Sequence, residues 1–227
     1  MQSIAQQLNK VRADIQRLEQ KYGREKGSVG LLAVSKTRSS EEILKIAAQG
    51  QRDFGENYQQ EALIKINGLR DQGICWHFIG PLQSNKAKGV AENFDWMHSV
   101  DRLKIAQRLN QLRPESLDPL NVCIQVNISE ESSKSGVSVE ELPGLATEMA
   151  QLSNISLRGL MALPAPVTEL ESQREQFRRV KALYDGLKRE GHALDTLSMG
   201  TTNDIEAAIA EGSTMVRIGT AIFGPRT

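Results

Sequence analysis

VGLLAVSKTRSSEEILKIAAQ, residues 29–49, decides the fold. Its first half is an apolar run with branched residues that ends near Lys36, the composition of a strand covered on both faces. Its second half opens at Ser39 and Ser40, whose hydroxyls suit an N-cap. Glu41 and Glu42 follow in the first turn, where the helix dipole favours acids. This is one βα unit.

The same rhythm runs on in both directions along the chain. DFGEN (53–57) precedes the helical YQQEALIKINGL (58–69), CWHFIG (75–80) precedes SNKAKGVAENF (84–94), and DWMHSVD (95–101) precedes RLKIAQRLNQLR (102–113). LNVCIQVNIS (120–129) leads into VEELPGLATEMAQL (139–152), and SLRGLMALP (156–164) into ESQREQFRRVKALYDGLKRE (171–190). TLSMG (196–200) leads into NDIEAAIAEG (203–212), and MVRIGTAIFG (215–224) is read as the eighth strand run. Strand and helix alternating eight times imply a parallel sheet, and right-handed crossovers in a chain of this length favour closure into a (β/α)8 TIM barrel over an open doubly wound sheet. Ahead of it, Ile4, Leu8, Val11, Ile15 and Leu18 mark an amphipathic helix ended by Gly23. That stripe can pack on the barrel or on a second chain. No linker or composition break divides residues 1–227, so a single α/β domain is expected, with residues 1–23 as an extra helix.

Composition narrows the function. Lys and Arg number 28 against 28 Asp and Glu, and charged residues make up 25% of the chain without long blocks of one sign. Nucleic acid and anionic membrane surfaces gain nothing from this balance. The N-terminus lacks the apolar run of a signal peptide, and no stretch is long enough to span a bilayer. Cys75 and Cys123 do not form a CxxC pair, which fits a reducing cytoplasm. HExxH, Cys-rich zinc patterns, GxGxxG and the P-loop are all absent, and Cys75 beside His77 reads as a core thiol next to a hydrogen-bonded histidine. No metal is expected.

Barrel sites form at the C-terminal ends of strands. The residues there are Lys36, Asn57, His77, Asn127, Met161, Ser198, Arg217 and Gly219, which are expected to converge on one mouth. Lys36 follows an apolar approach, so it is either a desolvated amine able to attack a carbonyl or a lysine whose stem reaches out to solvent. Ser198, Gly200, Thr201 and Thr202, with Gly219 and Thr220, provide small residues and hydroxyls at the corner where such barrels hold phosphates; Asn203 and Glu206 have capping-box spacing. The same residues would also serve simply to cap a helix and ease packing. An amine beside a phosphate corner points to a sugar-phosphate aldolase or to pyridoxal 5′-phosphate (PLP).

LLAVSKT, FGENYQQE, WHFIGPLQSNK, VNISEESSKSG, RGLMA and GSTMVRIGTAIFG, taken in order, resemble the pyridoxal phosphate homeostasis protein family over essentially the whole chain. The resemblance implies a single-domain barrel like the N-terminal domain of alanine racemase, the fold-type III class of PLP proteins. It implies PLP as cofactor in an aldimine with Lys36, with Arg217 and Gly219 contacting it and Thr220 helping to hold its phosphate. Asn57, Met199 and Gly200 would line the pocket, and the family's phosphate hydroxyl falls on Thr202. Here the chain departs from the family: SMGTTND stands at 198–204 where relatives usually read SMGMSDD or SMGMSAD. A threonine hydroxyl still donates, so the phosphate contact is expected to survive.

The implied role is a PLP-binding protein of intracellular vitamin B6 and amino-acid homeostasis, with no established reaction and with PLP-dependent apo-enzymes as candidate acceptors. An Arg beside the pyridine nitrogen disfavours its protonation and weakens the cofactor as an electron sink. Racemisation also needs a proton donor or acceptor on each face, and the sequence ends at Thr227, just after the eighth strand. A non-catalytic monomer is therefore expected, with a racemase-like enzyme as the alternative and a cofactor-free aldolase third.

Overall fold

In the computed structural model, which describes residues 3–129 and 135–225, the alternation becomes nine helices and eight strands among the described residues. The strands are β1 (Gly30–Val34), β2 (Asp53–Glu56), β3 (Cys75–Phe78), β4 (Trp96–Val100), β5 (Leu120–Val126), β6 (Ile155–Ala162), β7 (Thr196–Ser198) and β8 (Met215–Ile218). They pair in parallel in chain order, and β8 returns to β1 with Leu32 opposite Arg217, closing the barrel. The helices are α1 (Ile4–Lys21), α2 (Ser40–Ala47), α3 (Gln59–Gly68), α4 (Ala87–Asn93), α5 (Leu103–Leu112), α6 (Leu142–Met149), α7 (Leu170–Arg189), α8 (Ile205–Ala210) and α9 (Thr220–Phe223).

Helical spacing places Ile105 and Leu109 of α5, and Phe177, Val180, Tyr184 and Leu187 of α7, on buried faces against the sheet. Inside the barrel, strand alternation puts polar groups in the core as well as apolar ones: His77, His98, Ser198 and Arg217 are all buried. None of the described helices is long and apolar enough to cross a membrane.

Two sequence expectations change here. The eighth strand stops at Ile218, and Thr220–Phe223 forms the short helix α9, because Gly219 turns the chain and the carbonyls of Gly219 and Thr220 then accept helical bonds from Ile222, Phe223 and Gly224. The capping box of Asn203 and Glu206 does not form. Asp204 is the N-cap of α8, and Glu206 instead accepts from Lys21 Nζ at 2.6 Å and from Tyr22 Oη at 2.9 Å.

Those contacts belong to the docking of α1, which begins with a capping box between Ser3 and Gln6. Its Leu8, Val11, Ile15 and Leu18 are buried, and it lies against α2, α8 and α9. The stripe is thus spent within the chain. Glu19 is buried too, and its carboxylate accepts from the amides of Gly27 (3.0 Å) and Val29 (2.8 Å), fixing the entry into β1.

Candidate functional site

Lys36 leaves β1 two residues past its last strand position and is half-buried, and the chain on both sides of it is held. Ser35 is buried and donates from Oγ to Glu56 Oε1 at 2.6 Å. Thr37 adopts φ 63°, a left-handed conformation that a β-branched residue takes only when its surroundings impose it. Its amide donates to Glu61 Oε1 at 2.7 Å. Lys65 Nζ joins the two sides, donating to the Ser35 carbonyl at 2.9 Å, Glu56 Oε1 at 2.8 Å and Glu61 Oε1 at 2.5 Å. Burial raises the pKa of the fully enclosed Glu56, while Lys65 and the Ser35 hydroxyl pull it back down. One lysine is therefore committed to the scaffold, and the other is presented at the strand end.

Arg217 comes from β8, beside β1, and is buried. Its Nη1 donates to the Ser198 carbonyl and to Ser198 Oγ at 2.8 Å, and its Nη2 donates to the Ala162 carbonyl at 2.9 Å. Desolvation lowers its pKa to about 10, so the guanidinium remains cationic at neutral pH. Carbonyl and hydroxyl oxygens hold it, rather than a carboxylate.

Lys36 and Arg217 meet in a cavity of about 370 Å³, within the range of small-molecule sites. Arg38, Asn57, Thr201, Thr202, Asn203, Gly219 and Thr220 line it, with Val34, Ile79 and Leu163 as the apolar surface. Among the described residues, every ionisable group in this lining is a cation: Lys36, Arg38 and Arg217. The cavity therefore suits an anion. Asn57 Oδ1 is buried there without a hydrogen-bond partner. A buried polar atom left that way costs about 1–3 kcal/mol, a debt that a bound ligand can cancel.

Six expected site residues line this cavity: Lys36, Asn57, Thr202, Arg217, Gly219 and Thr220. Gly200 lines an adjoining cavity of about 440 Å³, which shares Thr201, Asn203 and Arg217 with the first. Gly200 has φ 98°, and a Cβ there would lie 2.5 Å from Ala208 Cβ. Met199 is fully buried in the hydrophobic core and lines neither cavity. His77 and Ser198 do not reach the mouth; both lie within the barrel. Sequence reasoning missed Arg38, Glu56, Glu61, Lys65 and His98. The one local signal among them was the i,i+4 spacing of Glu61 and Lys65. Of the two loop lysines that are the alternatives to Lys36 as a site of attachment, Lys86 in QSNK and Lys134 in SSKSG, Lys134 lies outside the described residues.

Residues 6–227 match the family described as "Alanine racemase, N-terminal domain". The pyridoxal phosphate homeostasis protein of Pseudomonas aeruginosa is 55% identical over 226 residues, covering 100% of this chain and 97% of that protein. PipY of Synechococcus elongatus, solved with PLP bound, superimposes with a TM-score of 0.85 at 34% identity, covering 98% of this chain and 100% of that one. Alanine racemase from Corynebacterium glutamicum, at 22% identity and TM-score 0.67 over 96% of this chain and 62% of that one, shares the fold. A likeness this high, spread end to end over both sequences, makes the chain a member of the pyridoxal phosphate homeostasis protein family.

Proposed function

We propose that this protein binds PLP in the cavity between Lys36 and Arg217 and serves PLP and amino-acid homeostasis in the cytoplasm, as a monomer without catalytic turnover. The observation that carries the reading is the Lys36–Arg217 cavity itself, whose ionisable lining is entirely cationic and whose Arg217 is held by neutral oxygens. The residues fit the group. PLP is an anion with a carbonyl carbon, Lys36 offers an amine, Thr202, Gly219 and Thr220 offer donors for a phosphate, and the unpartnered Asn57 Oδ1 marks a place for a donor.

When bound, PLP supplies an aldehyde that combines reversibly with primary amines and a ring that accepts electrons. Lys36 would be its covalent anchor. Lys65 cannot compete for that role, because its ammonium is buried and paired with both Glu56 and Glu61. Arg217 would face the ring nitrogen as a cation, which opposes protonation there and restrains carbanion chemistry. Among the described residues, no carboxylate, histidine, tyrosine or cysteine lines this cavity to act as a second proton carrier, and Asp204 lines the adjoining one. The monomer reading rests on α1, whose apolar stripe is already covered by α2, α8 and α9.

The test is to titrate the purified protein with PLP while recording near-visible absorbance, then to reduce with borohydride and map the labelled peptide. Label on Lys36, and its loss in Lys36→Ala, is the expected result. Label mainly on Lys86, or steady α-proton exchange of amino acids at roughly one per second or faster, would overturn the proposal.

A further inference from the structure

A line of hydrogen bonds runs through the barrel from the cavity to the opposite end of the sheet. Arg217 Nη1 meets Ser198 Oγ at 2.8 Å, and Ser198 Oγ meets His98 Nδ1 at 2.8 Å. His98 Nε2 meets His77 Nδ1 at 2.9 Å, and His77 Nε2 meets Asp53 Oδ1 at 3.1 Å. Ser198, His77 and His98 are fully buried and Arg217 nearly so, whereas the Asp53 side chain, at the first residue of β2, is 44% exposed. Five residues from five strands thus link a cation at one end to a carboxylate at the other.

The chemistry of the two ends fixes the direction of every bond between them. A guanidinium only donates, so Ser198 Oγ accepts from Arg217 and sends its own proton to His98 Nδ1. His98 is held well below the usual histidine pKa, first by its complete burial and further by the nearby Arg217 cation, so its ring is neutral, and with Nδ1 accepting from Ser198 its one proton sits on Nε2. That proton goes to His77 Nδ1. His77 then carries a proton on Nε2, facing Asp53, whose ionised carboxylate can only accept. Desolvation works against that ionisation, but hydrogen bonding, first from His77, helps to hold the Asp53 carboxyl below its ordinary range. Both ends fit the same order, with each of the two histidine rings accepting on Nδ1 and donating on Nε2.

We propose that Asp53, His77, His98 and Ser198 are positioning residues for Arg217: they form a one-way hydrogen-bond relay that turns and partly counterbalances the guanidinium facing the cofactor nitrogen. The proposal rests on the PLP reading for its effect on the cofactor, but not for the relay itself. Aligned hydrogen bonds polarise one another, and an Arg without a carboxylate in contact receives through them part of the charge of a distant one. The same geometry could also be read as a metal site, since Asp53, Cys75 and His77 place three donor atoms within 4.8 Å of one another and Cys75 Sγ is 3.3 Å from His77 Nε2. A metal would need the lone pair of His77 Nε2, which the relay uses for a proton. The two readings exclude each other.

The cofactor-free protein decides the relay. It has three histidines, so 15N-histidine labelling resolves each ring. His98 is expected to be neutral with its proton on Nε2, and His77 to carry a proton on Nε2, facing Asp53, and none on Nδ1, facing His98. Protonation of either on Nδ1, or stoichiometric zinc binding that protects Cys75 from thiol reagents, would overturn the proposal. Asp53→Asn keeps an acceptor and removes the charge, so it should shift the Arg217 guanidinium 15N signals, assigned through Arg217→Lys.

In the PLP-loaded protein, Asp53→Asn and His98→Asn are expected to weaken PLP binding about 3- to 30-fold with a changed absorbance spectrum, although neither residue lines the cavity. Asp53→Glu should recover most of the loss. A merely structural role predicts lower denaturation midpoints with unchanged Arg217 signals and PLP affinity within twofold, and that result would refute the relay. A protein that binds no PLP but shows the expected tautomers and Arg217 shifts would refute only the PLP reading.

Discussion

Replacing Lys65 by methionine keeps the length of the stem and removes one charge from a buried cluster. Glu56 is then left fully enclosed with Ser35 Oγ at 2.6 Å and no cation, and its Oε2 already lacks a partner. A carboxylate so placed escapes by taking up a proton, which limits the damage. With an ordinary Glu pKa near 4.3 in the unfolded chain, holding the group protonated at pH 7 costs about 3.7 kcal/mol, close to the 3–5 kcal/mol typical of a broken buried ion pair. The folded variant binds a proton that the unfolded chain has lost, so its stability falls as pH rises above about 4.3. At pH 5.5 the penalty should therefore be smaller by about 2 kcal/mol.

Urea titrations of parent and variant at the two pH values, followed by circular dichroism, measure this directly. A loss under 1 kcal/mol at pH 7, or one that does not shrink at pH 5.5, would show that Glu56 and Lys65 are not the coupled pair described. Glu56→Gln in the Lys65→Met background should restore much of the stability. PLP affinity should fall with the single change, because the same ammonium holds the Ser35 carbonyl next to Lys36.

Gly200→Ala should destabilise the protein by about 2 kcal/mol or more, since it combines φ 98° with a 2.5 Å approach to Ala208; a thermal midpoint equal to the parent's would contradict this. Thr202→Ala should weaken PLP binding by about 1–3 kcal/mol without abolishing it. Arg217→Glu should alter the bound cofactor's spectrum, and a parental spectrum at saturation would mean the ligand lies elsewhere. His98 stays neutral in the fold while the same histidine in the unfolded chain takes a proton below about pH 6.5. The unfolded state then binds more protons, so stability should fall on acidification by up to about 1.4 kcal/mol per pH unit. Denaturation between pH 6.5 and 5 should show a shallower slope in His98→Gln than in the parent.

The barrel was legible because its information is local. Runs such as LLAV (31–34) and the stripe of Ile43 and Ile46 declare strand and helix through neighbours a few positions apart. Lys36, Asn57 and Arg217 were legible for the same reason, as polar residues closing apolar runs. TAIF (220–223) looked like more strand because a short apolar run has no period of its own; the turn at Gly219 decided the matter. Asn203 and Glu206 had the right spacing, but Glu206 found Lys21 and Tyr22, residues 185 and 184 positions away. His98 and Ser198 are 100 positions apart, and nothing in MHSV or TLSM announces that their side chains meet inside the barrel. Pairings made by closure of the sheet have no trace in a local pattern.

The seat of α1 implies an order of events in time. During synthesis this helix emerges before the barrel that follows it, yet the surfaces that cover its apolar stripe include α8 and α9, the last two of the described helices in chain order. The bonds that fasten it also reach late residues: Lys21 and Tyr22 to Glu206, and Arg24 to the carbonyls of Ile209 and Ser213. The closing pair of strands, β1 and β8, has the same separation between first and last. Contacts so distant along the chain form late, after the entropy of a long loop has been overcome. Leu8, Val11, Ile15 and Leu18 therefore stay only partly covered until α8 and α9 have been made, a natural binding surface for chaperones. Cutting the chain before Thr220 would remove α9, one of the three helices that cover them.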